Sequence, residues 1–115
     1  TVLIVDDEEG FLDELEIIQR RAGYHTLIAM DGQQGWEMVD QYHPDLVIID
    51  NHMPVMSGAE LCRKIKTTPA TRNIRAVIHS SPSNAELAVQ NFADAFLPKP
   101  STHIDVLRTV QHLLI

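Results

Sequence analysis

The chain has almost no cysteine: Cys62 is the only one in 115 residues, which excludes an intrachain disulfide and fits a reducing compartment. As a lone thiol among helix-forming residues, Cys62 reads as a small apolar side chain. Basic residues are also scarce, 9 Lys and Arg against 16 Asp and Glu, and the formal charge of −7 argues against nonspecific binding to nucleic acid or to an anionic membrane. No apolar run approaches the length that spans a bilayer, and no basic segment followed by an apolar one opens the chain, so it reads as cytoplasmic. Internal repeats, low-complexity tracts and long linkers are missing, as is a Gly-rich phosphate loop of the Walker type. What remains is room for one domain with one modest core, at an ordinary 44% apolar and 22% charged residues. The chain starts without Met on an apolar run and ends inside an apparent helix, which reads as a trimmed piece of a longer protein.

Two short apolar runs stand out. Leu46-Val47-Ile48-Ile49 stops on Asp50, and Val2-Leu3-Ile4-Val5 stops on Asp6 and Asp7, with Glu8 and Glu9 following. Unbroken apolar runs of this length suit strands covered on both faces, the habit of parallel sheets between helices. Phe11, Leu12, Leu15, Ile18 and Ala22 recur at helical spacing, and Gly23 sits where a left-handed residue closes a helix. His25 to Ala29 reads as a second strand, and Asp31-Gly32 turns into a helix carrying Trp36 and Val39 inward until Pro44 ends it. After Asp50 comes a loop to Gly58, then a helix capped by Ser57 with Glu60, striped by Leu61 and Ile65 and stopped by Pro69. Ala76-Val77-Ile78 reads as a fourth strand running into His79-Ser80-Ser81, followed by a short helix over 84 to 91 capped by Ser83. Ala95-Phe96-Leu97 is a fifth strand before Pro98-Lys99-Pro100, and Ser101 is placed to cap a last helix carrying Val106, Leu107, Val110, Leu113 and Leu114. Strand and helix alternate, which predicts right-handed crossovers and a five-stranded parallel α/β sheet with helices on both faces.

The ends of these strands carry Asp6, Asp7, Asp50, Ser80 and Lys99. In a flavodoxin-like strand order of 2-1-3-4-5 the first and third strands meet at the topological switch point, where ligands gather beyond the carboxyl ends. Carboxylates a few ångströms apart repel by roughly 4 kcal/mol per pair at an effective dielectric near 20, so they call for protons or a cation. Hard oxygen donors suit magnesium shared with a phosphate. Lys99 and Ser80 suit the oxygens of a transferring phosphoryl group, which leaves Asp50 as the nucleophile of an aspartyl phosphate.

Over essentially its whole length the chain resembles a response-regulator receiver domain of two-component signal transduction. The matching residues are Val2 to Glu8, then Asp50-Asn51-His52-Met53-Pro54-Val55-Met56-Ser57-Gly58, then Ser80, then Lys99-Pro100. The resemblance implies that Asp50 accepts phosphate from a histidine kinase or a histidine phosphotransfer protein and that the domain switches an output domain or a downstream protein. It implies Mg2+ held by Asp7, Asp50 and the main-chain carbonyl of His52, with Asp6 acting through water. It also implies a switch made of Ser80 and Phe96, an ion-pairing Lys99 and a cis Lys99-Pro100 bond. On the same footing, residues 1–115 form one receiver domain, no enzyme beyond its own phosphorylation and dephosphorylation, with no nucleic acid or membrane contact of its own and a homodimer as one possible assembly.

The chain departs from the family in places. The stretch between Ser80 and Lys99 is a few residues short, Phe92 stands where Gly is usual and Ser101 where Phe is frequent. Those changes fall on the face by which many relatives dimerise or signal. A degenerate receiver that binds partners without phosphorylation is the competing reading, opposed by the retained acids, hydroxyl and lysine. A haloacid-dehalogenase-type phosphatase requires Asp-x-Asp on its first strand, which Asp6-Asp7-Glu8 does not supply, and a flavodoxin requires a Ser/Thr/Gly-rich loop that is missing.

Overall fold

A computed structural model describes residues 1–51, 55–81, 88, 92–99 and 101–114. These form β1 (Val2–Val5), α1 (Glu9–Arg21), β2 (Thr26–Ala29), α2 (Gly32–Tyr42), β3 (Leu46–Asp50), α3 (Gly58–Thr67), β4 (Arg75–Ser80), β5 (Ala95–Pro98) and α4 (His103–Leu113). The strands make a single parallel sheet, as the alternation predicts, and its order, β2-β1-β3-β4-β5, is the expected flavodoxin-like one. Of the helix expected over 84 to 91, only Ala88 lies within the described residues.

The core is two apolar layers, one on each face of the sheet, and the strands feed both by alternation. Leu3, Val5, Val47, Ile49, Ala76 and Ile78 meet Val39 of α2 and Leu61, Cys62 and Ile65 of α3. Val2, Ile4, Leu46, Ile48, Val77 and Leu97 meet Leu12 and Leu15 of α1 and Val106 and Val110 of α4. Double coverage explains why β1 and β3 could be unbroken apolar runs: each of their residues is buried. Cys62 is buried in the first layer, and burial pushes its thiol up to about 12, as suits an inert packing residue. Trp36 is half-buried against that layer, with the Lys64 ammonium 4.6 Å from its ring centre.

Local signals set the helix ends. Gly23 follows α1 at φ 95, and Ser57 accepts the Glu60 N–H to start α3. At α4 the expected cap is displaced by one residue. The Ser101 hydroxyl is used by the Pro98 carbonyl in the turn after β5, and Thr102 caps α4 instead, forming a reciprocal capping box with Asp105. Leu107, expected in the inward stripe, is only half-buried, because Val106 and Val110 hold the centre of the contact. Phe92 has φ 63, a left-handed backbone that explains why glycine is the common choice there. The start of β5 is pinned by Asp94, which accepts the Ala76 N–H and the Lys66 ammonium, each at 2.8 Å.

Candidate functional site

The register of the sheet decides which side chains meet. β1 and β3 pair Val5 with Ile49, so the residues that follow, Asp6 and Asp50, leave the two strands at the same height. β3 and β4 pair Asp50 with His79, and β4 and β5 pair His79 with Leu97. By alternation these form one transverse row on the face covered by α1 and α4. Lys99 lies two residues beyond Leu97 and returns its ammonium to the row, with Nζ 2.7 Å from Asp50 Oδ1.

Asp6, Asp7 and Asp50 each place a carboxylate oxygen within 4.8 Å of the others. Asp6 and Asp50 are each 3% exposed, whereas Asp7 faces solvent. Asp6 also accepts the Glu8 N–H at 3.0 Å, which ties it to the start of α1. Burial, opposed by that hydrogen bond and reinforced by the Asp50 charge, pushes the Asp6 carboxyl up to about 6. Lys99 is therefore not enough to neutralise the group. A hard dication matches both the donor set, all carboxylate oxygen, and the uncompensated charge.

The loop after β3 is anchored from behind. Asn51 accepts twice at the start of α3, its carbonyl from the Gly58 N–H and its Oδ1 from the Ala59 N–H, both at 3.2 Å. A Cβ on Gly58 would collide with the Asp50 carbonyl oxygen and lie 2.7 Å from the Asn51 Cα. Thus the first turn of α3 presses on the backbone that carries Asp50. Sequence reasoning took Asn51 and Gly58 as turn formers and missed this positioning. The capping box at Ser57 was the available signal, because it fixes where α3 begins.

Ser80 is fully buried, and alternation along β4 sends its side chain to the α2/α3 face, opposite to His79. Its carbonyl accepts the Lys99 N–H at 2.7 Å, so Ser80 and Lys99 are joined through main chain. Phe96 pairs with Ile78 in the ladder and is half-buried against the same α2/α3 layer. Asp6, Asp7, Asp50 and Lys99 are thus brought together, while Ser80 and Phe96 share the other face. The main-chain carbonyl of His52 and the Lys99-Pro100 bond lie outside the described residues.

His79, noted in the sequence only as crowding the site, sits at 2% exposure in the acidic row. Burial first, and then the Lys99 charge, lower its pKa to about 4, so the imidazole is neutral at physiological pH.

Comparison with known proteins agrees with this geometry. The family model for the response regulator receiver domain matches residues 2–111. The chain is similar to the response regulator GtcR of Aneurinibacillus migulanus, at 30% identity over 96% of this chain and 46% of that protein, so it spans about half the length of that relative. Among solved structures it is similar to the signal receiver domain of a signal transduction histidine kinase from Syntrophus aciditrophicus, with TM-score 0.91, 30% identity, and coverage of 98% of this chain and 88% of that one. It shares its fold with the receiver domain of a Pseudomonas aeruginosa sensor histidine kinase that holds magnesium in its active site cleft, with TM-score 0.88, 22% identity, and coverage of 98% and 95%. With a family match that runs from the first strand into the last helix, and with the acids and lysine gathered at the switch point of the sheet, the chain belongs to the response regulator receiver domain family.

Proposed function

We propose that Asp50 is the phosphoacceptor of a two-component phosphorelay, taking its phosphoryl group from a phosphohistidine on a histidine kinase or histidine phosphotransfer protein. The observation that carries this reading is the buried Asp50 carboxylate, held by Lys99 at 2.7 Å with Asp6 and Asp7 beside it at the open end of the sheet. In the step, an Asp50 oxygen forms the new O–P bond as the P–N bond to the donor imidazole breaks, and that imidazole keeps the electron pair and takes a proton. Lys99 orients Asp50 and offers positive charge to the incoming phosphoryl oxygens. Asp6, Asp7 and Asp50 would hold Mg2+, with the His52 carbonyl as a further ligand; when bound, the ion neutralises charge on the transferring group. The domain does no other chemistry in this reading.

The switch is read from Ser80 and Phe96. A phosphoryl group on Asp50 extends past the open end of the sheet, where the Ser80 hydroxyl, at the last position of β4, turns from the α2/α3 face to meet its oxygens. Phe96 follows on that face, altering a surface read by an output domain, a downstream protein or a second copy of the chain. The shift is limited to the difference in contact energy between the two states. All of this takes place in the cytoplasm, where the kinase supplies the donor.

Asp50→Asn tests the assignment, because it removes the nucleophilic oxygen while conserving volume. After treatment with acetyl phosphate and magnesium, intact mass should show one added phosphoryl group on the wild-type domain and none on the variant. Incorporation into Asp50→Asn at the wild-type level assigns the chemistry elsewhere. No incorporation into the wild type favours a degenerate, phosphorylation-independent interaction module.

A further inference from the structure

Between the starts of α1 and α4 the structure has a cavity of about 360 Å3 lined by Glu8, Phe11, His79, Lys99 and Ser101. That is within the size range of sites for small organic ligands. The floor is unusual. His79 is 2% exposed, yet neither of its ring nitrogens has a hydrogen-bond partner among the described residues. A buried polar group left unsatisfied is costly, so the imidazole is a place where an occupant gains by hydrogen bonding. One wall is aromatic: the Phe11 ring centre lies 5.5 Å from that of His79 and 5.2 Å from that of His103, tilted by 32° and 30°. That wall favours a flat apolar body over water.

The charges around the cavity narrow the ligand further. Lys99 is turned to Asp50 at 2.7 Å, which compensates much of its charge on the cavity side, while the exposed Glu8 carboxylate at the rim repels an anion. A neutral imidazole offers one donor and one acceptor, and either nitrogen can take either part. We propose that this cavity is a binding site for a small, neutral, planar ligand of the aromatic carboxamide class, whose ring lies against Phe11 and whose amide pairs with His79. Such a ligand touches Lys99, so occupancy reaches the side chain that holds Asp50. This goes beyond the phosphoacceptor reading and is tested without any phosphodonor, so the two fail separately.

Benzamide is the probe, with benzoate as its charged isostere and toluene as its apolar counterpart, each titrated into the isotopically labelled domain and followed by amide and imidazole nitrogen resonances. Benzamide should shift the Phe11, His79 and Lys99 amides and the His79 ring nitrogens saturably, with benzoate and toluene weaker by roughly tenfold or more, the worth of one good hydrogen bond. His79→Phe should lower benzamide affinity by a similar factor and leave toluene binding in place. Absence of saturable shifts means that the cavity holds water only, and it overturns the proposal. So does equal binding of benzoate, or benzamide binding unchanged by His79→Phe. If that variant does not fold, the comparison of the three probes on the wild-type domain decides alone.

Discussion

Asp6 holds a charge that the fold itself disfavours, and its titration makes that measurable. Its carboxyl ionises near 6 when folded, against an ordinary 3.8, so the folded state takes up this proton more readily than the unfolded chain. The resulting stability is fully present below the ordinary value and is lost as pH rises through about 6. Asp6→Asn fixes the uncharged form, and in chelator at neutral pH it should stabilise the domain by on the order of 2 kcal/mol, with the advantage vanishing in acid. Urea unfolding of both proteins at the two pH values reads this; a variant no more stable at neutral pH would show that Asp6 is not strained. That Asp6 and Asp50 meet at one edge of the sheet was legible in the sequence, since each ends an unbroken apolar run. The place of His79 was not, because its face depends on the register between β3 and β4, which no single strand encodes.

The helices show how a local signal can be right in kind and displaced in position. Ser101 and Thr102 both have the chemistry of a cap, and only the turn after β5, where the Pro98 carbonyl claims the Ser101 hydroxyl, decides between them. Val55 is a harder case. It is β-branched yet has φ 72, with 81% of its surface exposed, and nothing in the sequence marks a left-handed residue there. At α3 the decisive contact is one that a side chain would destroy, and a missing atom has no signature in composition. Gly58→Ala should cost about 1 to 3 kcal/mol, the usual range for an overpacked site. Because the clash falls on the Asp50 carbonyl, it should also slow labelling by acetyl phosphate. Unchanged melting and labelling together would mean that α3 can retreat without moving β3.

For the molecule as a whole, double coverage was legible because a parallel sheet between helices requires two apolar faces of its central strands, and the runs of β1 and β3 comply. The strand order came with the flavodoxin-like arrangement and not from the runs themselves. The described residues include no helix long and apolar enough to cross a membrane. The three acids couple the site to global stability. Magnesium that binds the folded state alone should raise the melting temperature by a few degrees once it exceeds its dissociation constant about tenfold, and Asp7→Ala should erase the effect. A melting temperature indifferent to millimolar magnesium would remove the metal from the site. The same acidic edge bears on how such a domain would drift under selection. Where only heat resistance is rewarded and a chelator is present, neutral residues at Asp6 and Asp7 are favoured, and a library passed through that screen should lose its acids while its apolar strands persist. Repeating the screen in magnesium should keep them, since the burden on the bare protein becomes an asset once the ion is bound.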